Sequence, residues 1–505
     1  MHKWHCLPRE IIHFHTNYRQ LIHLGYPIGM ARKKSKTSLP HTRAIQRDRH
    51  KRPSATPPDE EIAEWIKEVV HPTTLNQLGY FRQLGLRERT LSLPVMVAFM
   101  LTLLWRQVGS IREGVRILKE EGLLWVEPLI NKITTQAVLT RINILPNDLF
   151  YRIMKEIWPT MNQRANERSR SLPPAVAYAD QFFAQIWSID GSVLDTVLKK
   201  NGLLIDQEGV TLAGKLMAII NIVTQVPVDL WYSEKSMASD QTFWDQILAV
   251  IPANTLLLFD KGLINYSVVD RLTELDAGFI TRAKKNVSYQ EVRTLSKTAT
   301  VHDQIILLGS APCRCQHEIR LVKVLFRGKW YCYLTNITDT QRLPAPCVVP
   351  LYDQRWRIED AFNIVKRLLG LAYFYCGSVN AVKTQVWMTW LLYSMLIDLT
   401  DRVAERLQKP FKDISMEMVF RGLSHYPHVK QRGDAHDPVE YLADRAKSLG
   451  IIKQKRKKSH LSLVEPAIPI MAKGFSNLGN YAMFLPYDKE KAHDPEKTIP
   501  FDNNC

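Results

Sequence analysis

The chain has 505 residues, which is enough for roughly two to four domains with hydrophobic cores. Its hydrophobic fraction of 46% is that of an ordinary globular protein and excludes wholesale disorder. The net charge is +17, from 67 Lys and Arg against 50 Asp and Glu. Such a surplus favours polyanionic partners, nucleic acid first, although it also fits a basic protein kept soluble by its charge.

Neither a membrane span nor a secreted fold is predicted. The most apolar stretch, 93–105, is too short to cross a bilayer and contains Pro94. Residues 1–30 lack the apolar core of a signal peptide, so we expect a cytoplasmic protein. The seven cysteines are odd in number and far apart, unlike a secreted disulfide framework. One candidate zinc cluster consists of Cys313, Cys315, His317 and Cys332. Its C-x-C spacing differs from a zinc knuckle and favours an alternating strand.

The N-terminal third divides into a basic arm and a helical region. Residues 1–57 are predicted to be a disordered arm, since 32–52 hold nine Lys or Arg against one acid. Translation could begin at Met1 or at Met30. Residues 58–170 are predicted to be a helical DNA-binding domain. A helix–turn–helix and an ordinary helical bundle both fit this pattern, and the sequence leaves the choice open.

From residue 182 the hydrophobic period becomes that of strands. Residues 171–285 are predicted to be the first part of an α/β core, because short β-type runs alternate with helical ones. These runs are 184–189, 212–223, 255–259 and 278–282. The next segment, 286–350, contains no convincing helix and three strand-like runs. It is therefore predicted to be an all-β insertion.

Long helices are predicted to follow the β segment. The helical runs 352–369 and 379–406 assign residues 351–430 to the second part of the core. Residues 431–505 are polar and are predicted to be a basic C-terminal tail with a Lys/Arg cluster at 453–458. That cluster is either a phosphate-binding patch or a solvated loop.

Two aspartates stand at the predicted ends of apolar strands. Asp190 follows the run ending at Ile189, and Asp260 follows a run of four apolar residues typical of a strand buried on both faces. Each is an acid with a nearby glycine, which alone is also an ordinary turn. Two carboxylates at the rim of neighbouring strands could share metal ions, because Mg²⁺ prefers oxygen ligands.

A third set of polar residues lies on the predicted helix 352–369. Tyr352, Arg355, Glu359 and Lys366 fall within about 60° of one another at roughly 100° per residue. A solvated face with an Arg–Glu pair is the ordinary explanation. Because strongly apolar sequence follows, the helix should lie inside the fold, and a polar stripe there indicates an active site.

The spacing Y-x-x-R-x-x-x-E-x-x-x-x-x-x-K from Tyr352 to Lys366 resembles the signature of bacterial insertion-sequence transposases of the DDE class, the family of insertion sequence four. The blocks Ile-Asp-Gly-Ser around Asp190 and Phe-Asp-Lys-Gly around Asp260 resemble that family too. The resemblance covers roughly residues 90–405, and every signature position holds the expected residue. The long basic arm departs from the pattern and puts recognition of element ends in doubt.

This resemblance implies a ribonuclease-H-like mixed sheet with flanking helices, interrupted by an all-β insertion. It implies that Asp190, Asp260 and Glu359 bind two Mg²⁺ ions, with Mn²⁺ as an alternative, and catalyse in-line phosphodiester transfer. Arg355 and Lys366 would then grip DNA phosphates, and Tyr352 would hydrogen-bond or brace one.

Three further residues are weaker DNA-binding candidates. Trp356 could stack on an unpaired base, although we favour a Trp buried in the core. Lys215 and Lys261 would line the DNA path.

The expected partners are double-stranded DNA, as inverted-repeat ends and target, and a second copy in a homodimer on the DNA. No membrane is expected, and the location would be the bacterial cytoplasm with the nucleoid. Two alternatives stay open: a ribonuclease-H-like nuclease without strand transfer, and a non-catalytic DNA-binding protein derived from a transposase.

Overall fold

The computed structural model describes residues 59–129, 133–194, 214–236, 238–326, 328–371 and 374–453. The predicted basic arm and the lysines beyond residue 453 lie outside these residues. The predictions made for them therefore stay predictions.

The chain from residue 59 begins with helices, and most of their apolar residues are buried. They are α1 (Asp59–Asn76), α2 (Leu78–Gln83), α3 (Leu93–Trp105), α4 (Ile111–Glu120), α5 (Thr135–Ile144), α6 (Asn147–Asn166) and α7 (Pro174–Ala179). Ser110 and Thr134 cap α4 and α5 by accepting hydrogen bonds from Glu113 N and Ala137 N. The strongly apolar α3 is a buried helix, as predicted.

Nine strands form the centre of the described chain. They are β1 (Gln185–Val193), β2 (Lys215–Asn221), β3 (Pro227–Ser233), β4 (Thr255–Phe259), β5 (Gly278–Arg282), β6 (Tyr289–Lys297), β7 (Val301–Ser310), β8 (Cys313–Phe326) and β9 (Lys329–Thr335). Their order in one sheet is β3-β2-β1-β4-β5-β9-β8-β7-β6. β1, β4 and β5 are parallel neighbours, and the other pairs are antiparallel. The fold is therefore mixed α/β with one large mixed sheet.

The strand β4 shows why the sheet needs apolar layers on both faces. Leu256 and Leu258 point to a core shared with the long helices, and Leu257 and Phe259 point to a second core. The second core is closed by α8 (Trp244–Leu248) and α9 (Tyr266–Glu274). The prediction of a strand buried on both faces is confirmed.

The prediction that Asp190 follows the end of a strand is wrong. β1 runs on to Val193, because Asp190 pairs with Ala218 and Gly191 with Met217 of the antiparallel β2. The parallel neighbour β4 stops at Phe259, opposite Ile189. Asp190 therefore lies within a paired strand, and Asp-Gly here is not a turn.

The stretch 286–350 holds the strands β6 to β9, which continue the main sheet through the pairing of β5 with β9. The sequence patterns missed β6, whose side chains are almost all exposed and therefore lack an apolar alternation. They also missed that α10 (Ala345–Asp353) begins before residue 350. The sequence pattern does not indicate this helix, because it contains Pro346 and Pro350 and proline is rare in helices.

The single helix predicted over 352–369 is wrong. α10 ends at Asp353, α11 (Trp356–Asn363) follows, and residues 364–368 form a π-helical turn. At the break, Arg355 N and Ile358 N donate to carbonyls three residues back, at Tyr352 and Arg355. The four polar residues of the stripe therefore do not share one regular helix face.

The helix α12 (Val379–Arg406) packs against α3, α5 and α6, and its predicted bounds are confirmed. After it come α13 (Met416–Gly422), α14 (Tyr426–Gln431) and α15 (Pro438–Asp444). Residues 431–453, predicted to be part of a tail, are folded here: α15 packs on α12, and Ile452 bridges to Ile414. Among the described residues, no helix combines the length and apolarity needed to cross a bilayer.

Candidate active site

The sheet brings the two predicted aspartates side by side. Ile189 and Phe259 are paired residues of the parallel strands β1 and β4, so Asp190 and Asp260 are neighbours at the next position. Asp190 Oδ1 accepts a hydrogen bond from Gly191 N at 2.8 Å. Asp260 Oδ2 accepts one from Gly262 N at 3.2 Å and so caps a short 3₁₀ turn.

Arg355 joins the first aspartate to the glutamate. Its Nη1 lies 3.1 Å from Asp190 Oδ2, and its Nη2 lies 2.7 Å from Glu359 Oε1. The Arg355 side chain is 6% exposed, while that of Glu359 is 34% exposed. The Ser188 hydroxyl of β1 donates to the Arg355 carbonyl at 3.2 Å and so ties the helix break to the strand. The strand β1 thus contacts Arg355 through both Asp190 and Ser188.

Burial perturbs the ionisation of this group. It raises the pKa of Asp190 to about 7; the Arg355 charge opposes this rise, and the charges of Glu359 and Asp240 add to it. Burial by itself would lower the pKa of Arg355, but the hydrogen bond to Glu359 and the nearby anions raise it overall. The arginine therefore stays charged between two acids.

Tyr352 contacts the second aspartate, Asp260. Its hydroxyl donates to Asp260 Oδ1 at 3.5 Å, and its ring meets that of Tyr333 edge to face at 5.3 Å. Burial raises the pKa of Tyr352 to about 12, so its hydroxyl keeps its proton. Tyr333 of β9, paired with Arg282 of β5, has no signature in the sequence and was missed.

Lys366 lies at the end of β1. Its Nζ donates to Ser192 Oγ at 2.7 Å and to the Val193 carbonyl at 2.6 Å. The predicted stripe is thus split: three residues surround the aspartates, and Lys366 lies beyond them along the strand.

Trp356 is 52% exposed, so the favoured prediction of a core Trp is wrong. It occupies the first position of α11, where its ring lies under the Arg355 guanidinium at 4.9 Å. Because its ring is exposed near Arg355, Trp356 is accessible to a bound substrate.

A fourth carboxylate, missed in the sequence, lies near Asp190. Lys215 Nζ contacts Asp240 Oδ1 at 2.7 Å and the Ala238 carbonyl at 2.6 Å. Asp240 occupies the space that a Cβ on Gly191 would need. Lys215 is buried in this ion pair, so the prediction that it lines a DNA path is wrong. Lys261 is exposed, and the same prediction for it stays a prediction. Asp240 follows Ser239 at a helix start and looks in sequence like an ordinary first-turn acid.

The candidate zinc residues do not converge. Cys313 and Cys315 lie on β8, which confirms the strand interpretation of that spacing. Cys315 is buried, and His317 Nδ1 lies 3.0 Å from Asp270.

Comparisons with known proteins find similarity to transposases. The family described as "Transposase DDE domain" matches residues 199–395, a span that includes Asp260 and Glu359. The transposase y4zB of Sinorhizobium fredii is 27% identical over 165 residues, 32% of this chain and 45% of that protein. The transposase for insertion sequence element IS5377 of Geobacillus stearothermophilus is 23% identical over 332 residues, 65% of this chain and 81% of that protein.

The transposase InsG for insertion sequence element IS4 of Escherichia coli is 25% identical over 182 residues, 34% of this chain and 40% of that protein. The chain thus spans less than half the length of two of these three relatives. A solved piggyBac transposase synaptic complex with hairpin DNA covers 78% of this chain and 84% of its own, at 11% identity and TM-score 0.36. A structural similarity this low supports no conclusion about the chain.

The carboxylates and the match over residues 199–395 together make the chain similar to transposases of the DDE class. Within that class, part of the chain is similar to a transposase of the family of insertion sequence four.

The class implies dependence on divalent metal ions. The donor chemistry fits: three carboxylates suit a hard cation, and a guanidinium already lies between two of them. In the present arrangement, no three His, Cys, Asp or Glu side chains of the described residues converge closely enough to hold a metal.

Proposed function

We propose that this protein is a transposase that cleaves the ends of an insertion sequence and joins the freed 3′-hydroxyls to target DNA by metal-assisted phosphodiester transfer. The observation that carries the proposal is the adjacency of Asp190 and Asp260 on parallel strands, with Glu359 linked to Asp190 through Arg355. Each of the three acids occupies the position that the family signature requires.

Asp190, Asp260 and Glu359 would hold two Mg²⁺ ions, or Mn²⁺. When bound, the ions would activate water or a 3′-hydroxyl and stabilise the leaving oxygen. The backbone N–H groups of Gly191 and Gly262 fix one oxygen of each aspartate and so orient the other.

The remaining signature residues would position DNA. Arg355 offers a planar fork for a phosphate, and Lys366 a point charge near the end of β1. Tyr352, whose hydroxyl keeps its proton, can donate a hydrogen bond to a phosphate oxygen. Trp356, which is exposed, can stack on an unpaired base.

We also propose that the core is ribonuclease-H-like. Support comes from the strand order β3-β2-β1-β4-β5, in which three antiparallel strands lead into parallel ones and helices cover both faces. In this proposal, 58–170 is a DNA-binding helical domain, 171–285 and 351–430 are the two parts of the core, and 286–350 is the β insertion. The segments 1–57 and 431–505 would add basic DNA contacts.

The partners follow from the reaction. Double-stranded DNA would bind as inverted-repeat ends and as target, favoured by the +17 charge. Two ends must be held together, so we expect a homodimer on the DNA. The protein would act in the bacterial cytoplasm at the nucleoid.

Cleavage of a supercoiled plasmid that carries the element's own ends, with Mg²⁺, tests the proposal. Wild type is compared with Glu359→Gln, which keeps the size of the side chain and removes its charge. The matched control is Asp360→Asn, the next acid along α11, which is exposed and pairs with Arg357. We expect wild type and the control to cut and join, and Glu359→Gln to bind the DNA but do neither.

The other outcomes identify the alternatives. Cutting without joining by wild type would indicate a ribonuclease-H-like nuclease. Equal behaviour of wild type and Glu359→Gln would indicate a non-catalytic DNA-binding protein.

A further inference from the structure

The Arg355 guanidinium occupies the space between two acids that a metal would need. It contacts Asp190 Oδ2 at 3.1 Å and Glu359 Oε1 at 2.7 Å, one oxygen from each acid. The other Asp190 oxygen already accepts the Gly191 N–H. An ion bridging Asp190 and Glu359 would compete with the guanidinium for these two carboxylates.

Electrostatics explains why a cation is present there. Asp190 is largely buried, and Glu359 and Asp240 add negative charge beside it. Carboxylates this close repel one another unless a positive charge lies between them. Arg355 supplies that charge, and its fork reaches both acids at once.

We propose that Arg355 is a built-in substitute for the metal ion: it closes the site before metal loading and is displaced when a divalent ion binds. The released guanidinium becomes free to bind a DNA phosphate, so metal binding and DNA binding reinforce each other. This inference rests on the proposed function of the three acids.

The surroundings of Arg355 permit that movement. Its Nε is buried without a hydrogen-bond acceptor among the described residues. Its charged end lies over the ring of Trp356, which is 52% exposed, and so borders solvent on that side. The two acid contacts that it would lose are the ones that the metal replaces.

Mn²⁺ binding to the full chain without DNA tests the proposal, followed by the electron paramagnetic resonance signal of free Mn²⁺. Wild type is compared with Arg355→Gln and with the control Arg357→Gln, which removes a nearby arginine whose partner is Asp360. We expect Arg355→Gln to bind Mn²⁺ at least tenfold more tightly than wild type and Arg357→Gln. Affinity in Arg355→Gln equal to or weaker than the control would overturn the proposal.

A second measurement does not depend on the folding of Arg355→Gln. Because the guanidinium lies over Trp356, its departure should change the emission of that ring when Mg²⁺ is added to wild type. Trp356→Phe should lose at least half of the Mg²⁺-dependent change. A change of the same size in both proteins would overturn the proposal.

Failure of the proposed function itself is distinguishable. If Glu359→Gln binds Mn²⁺ as wild type does, the acids are not ligands, and both the inference and the proposed function are overturned. If Glu359→Gln loses binding while Arg355→Gln gains none over the control, only the inference is overturned.

Discussion

At the scale of single residues, the need for glycine at position 191 comes from the packing of a residue far away in sequence. A Cβ at this position would overlap Asp240, which Lys215 holds in place. The Asp-Gly pair looks like a turn in sequence, yet the glycine lies in a paired strand. The glycine is required here for close packing and not for a bend.

We therefore expect Gly191→Ala to push Asp240 away and to destabilise the fold by about 1–3 kcal/mol, as overpacking does. Plasmid cleavage should fall as well, since Asp190 is the preceding residue. Urea unfolding and the cleavage assay provide the measurements. Gly79→Ala is the control, because a Cβ on Gly79 in α2 meets no atom within 4 Å. Equal stability of Gly191→Ala and Gly79→Ala would contradict the packing argument.

The raised pKa of Asp190 predicts a pH dependence of stability in the metal-free protein. The folded pKa of about 7 lies above the ordinary value of 3.8, so between these values the folded state holds a proton that the unfolded chain has lost. The free energy of unfolding should therefore fall as pH rises from 4 to 7, by up to roughly 2–4 kcal/mol.

Urea unfolding in EDTA at a series of pH values measures this slope. Asp190→Asn carries no ionisable group at this position, so its profile should be flatter over the same range. Parallel profiles for the two proteins would show that another group is responsible.

At the scale of elements, buried ion pairs hold the helical layer to the rest of the fold. Arg168 and Arg170, beyond the end of α6, meet Asp401 of α12, which is fully buried, at 3.0 Å and 2.6 Å. Arg168 also pairs with Asp398, and Arg170 donates to the Val223 carbonyl beyond β2. The segment after α6, the helix α12 and the segment after β2 thus meet at one charge cluster.

Removing one charge from this cluster leaves others buried and unpaired. We expect Asp401→Asn to destabilise the protein by about 3–5 kcal/mol, measured by urea unfolding. The control Asp148→Asn breaks an exposed pair with Arg152 on α6 and should cost less than about 0.5 kcal/mol. Similar losses in the two variants would mean that the cluster contributes no more than a surface pair.

At the scale of the whole molecule, the charge of +17 predicts DNA binding that weakens steeply with salt. Nine Lys and Arg lie between residues 32 and 52. Replacing all nine with Gln should lower the slope of log affinity against log salt by up to about 8, since each phosphate contact contributes roughly 0.9.

Fluorescence anisotropy on a labelled duplex at several salt concentrations gives the slope. The melting temperature should stay unchanged if the arm does not contribute to the folded core. An unchanged slope would mean that the phosphate contacts are made elsewhere.

Much of the fold was predictable because local patterns were strong. The apolar runs predicted α3, α12 and β4, because an element that is buried on all sides has a nearly continuous apolar sequence. β6 was missed because an exposed strand has no such period. α10 was missed because its prolines contradict helix propensity, although burial of the helix outweighs that cost.

The sequence by itself determined the class of chemistry that we predict: two acids beside glycines and a spaced Tyr, Arg, Glu and Lys resemble the signature of metal-dependent transposases. Only the tertiary structure decided that Arg355 lies between Asp190 and Glu359, and that Asp240 stands behind Gly191. The spacing of residues along the sequence indicates which side chains lie on the same helix or strand. Strand register and a helix break decide which side chains of different elements touch, because contacts such as that of Asp190 with Arg355 join residues 165 positions apart.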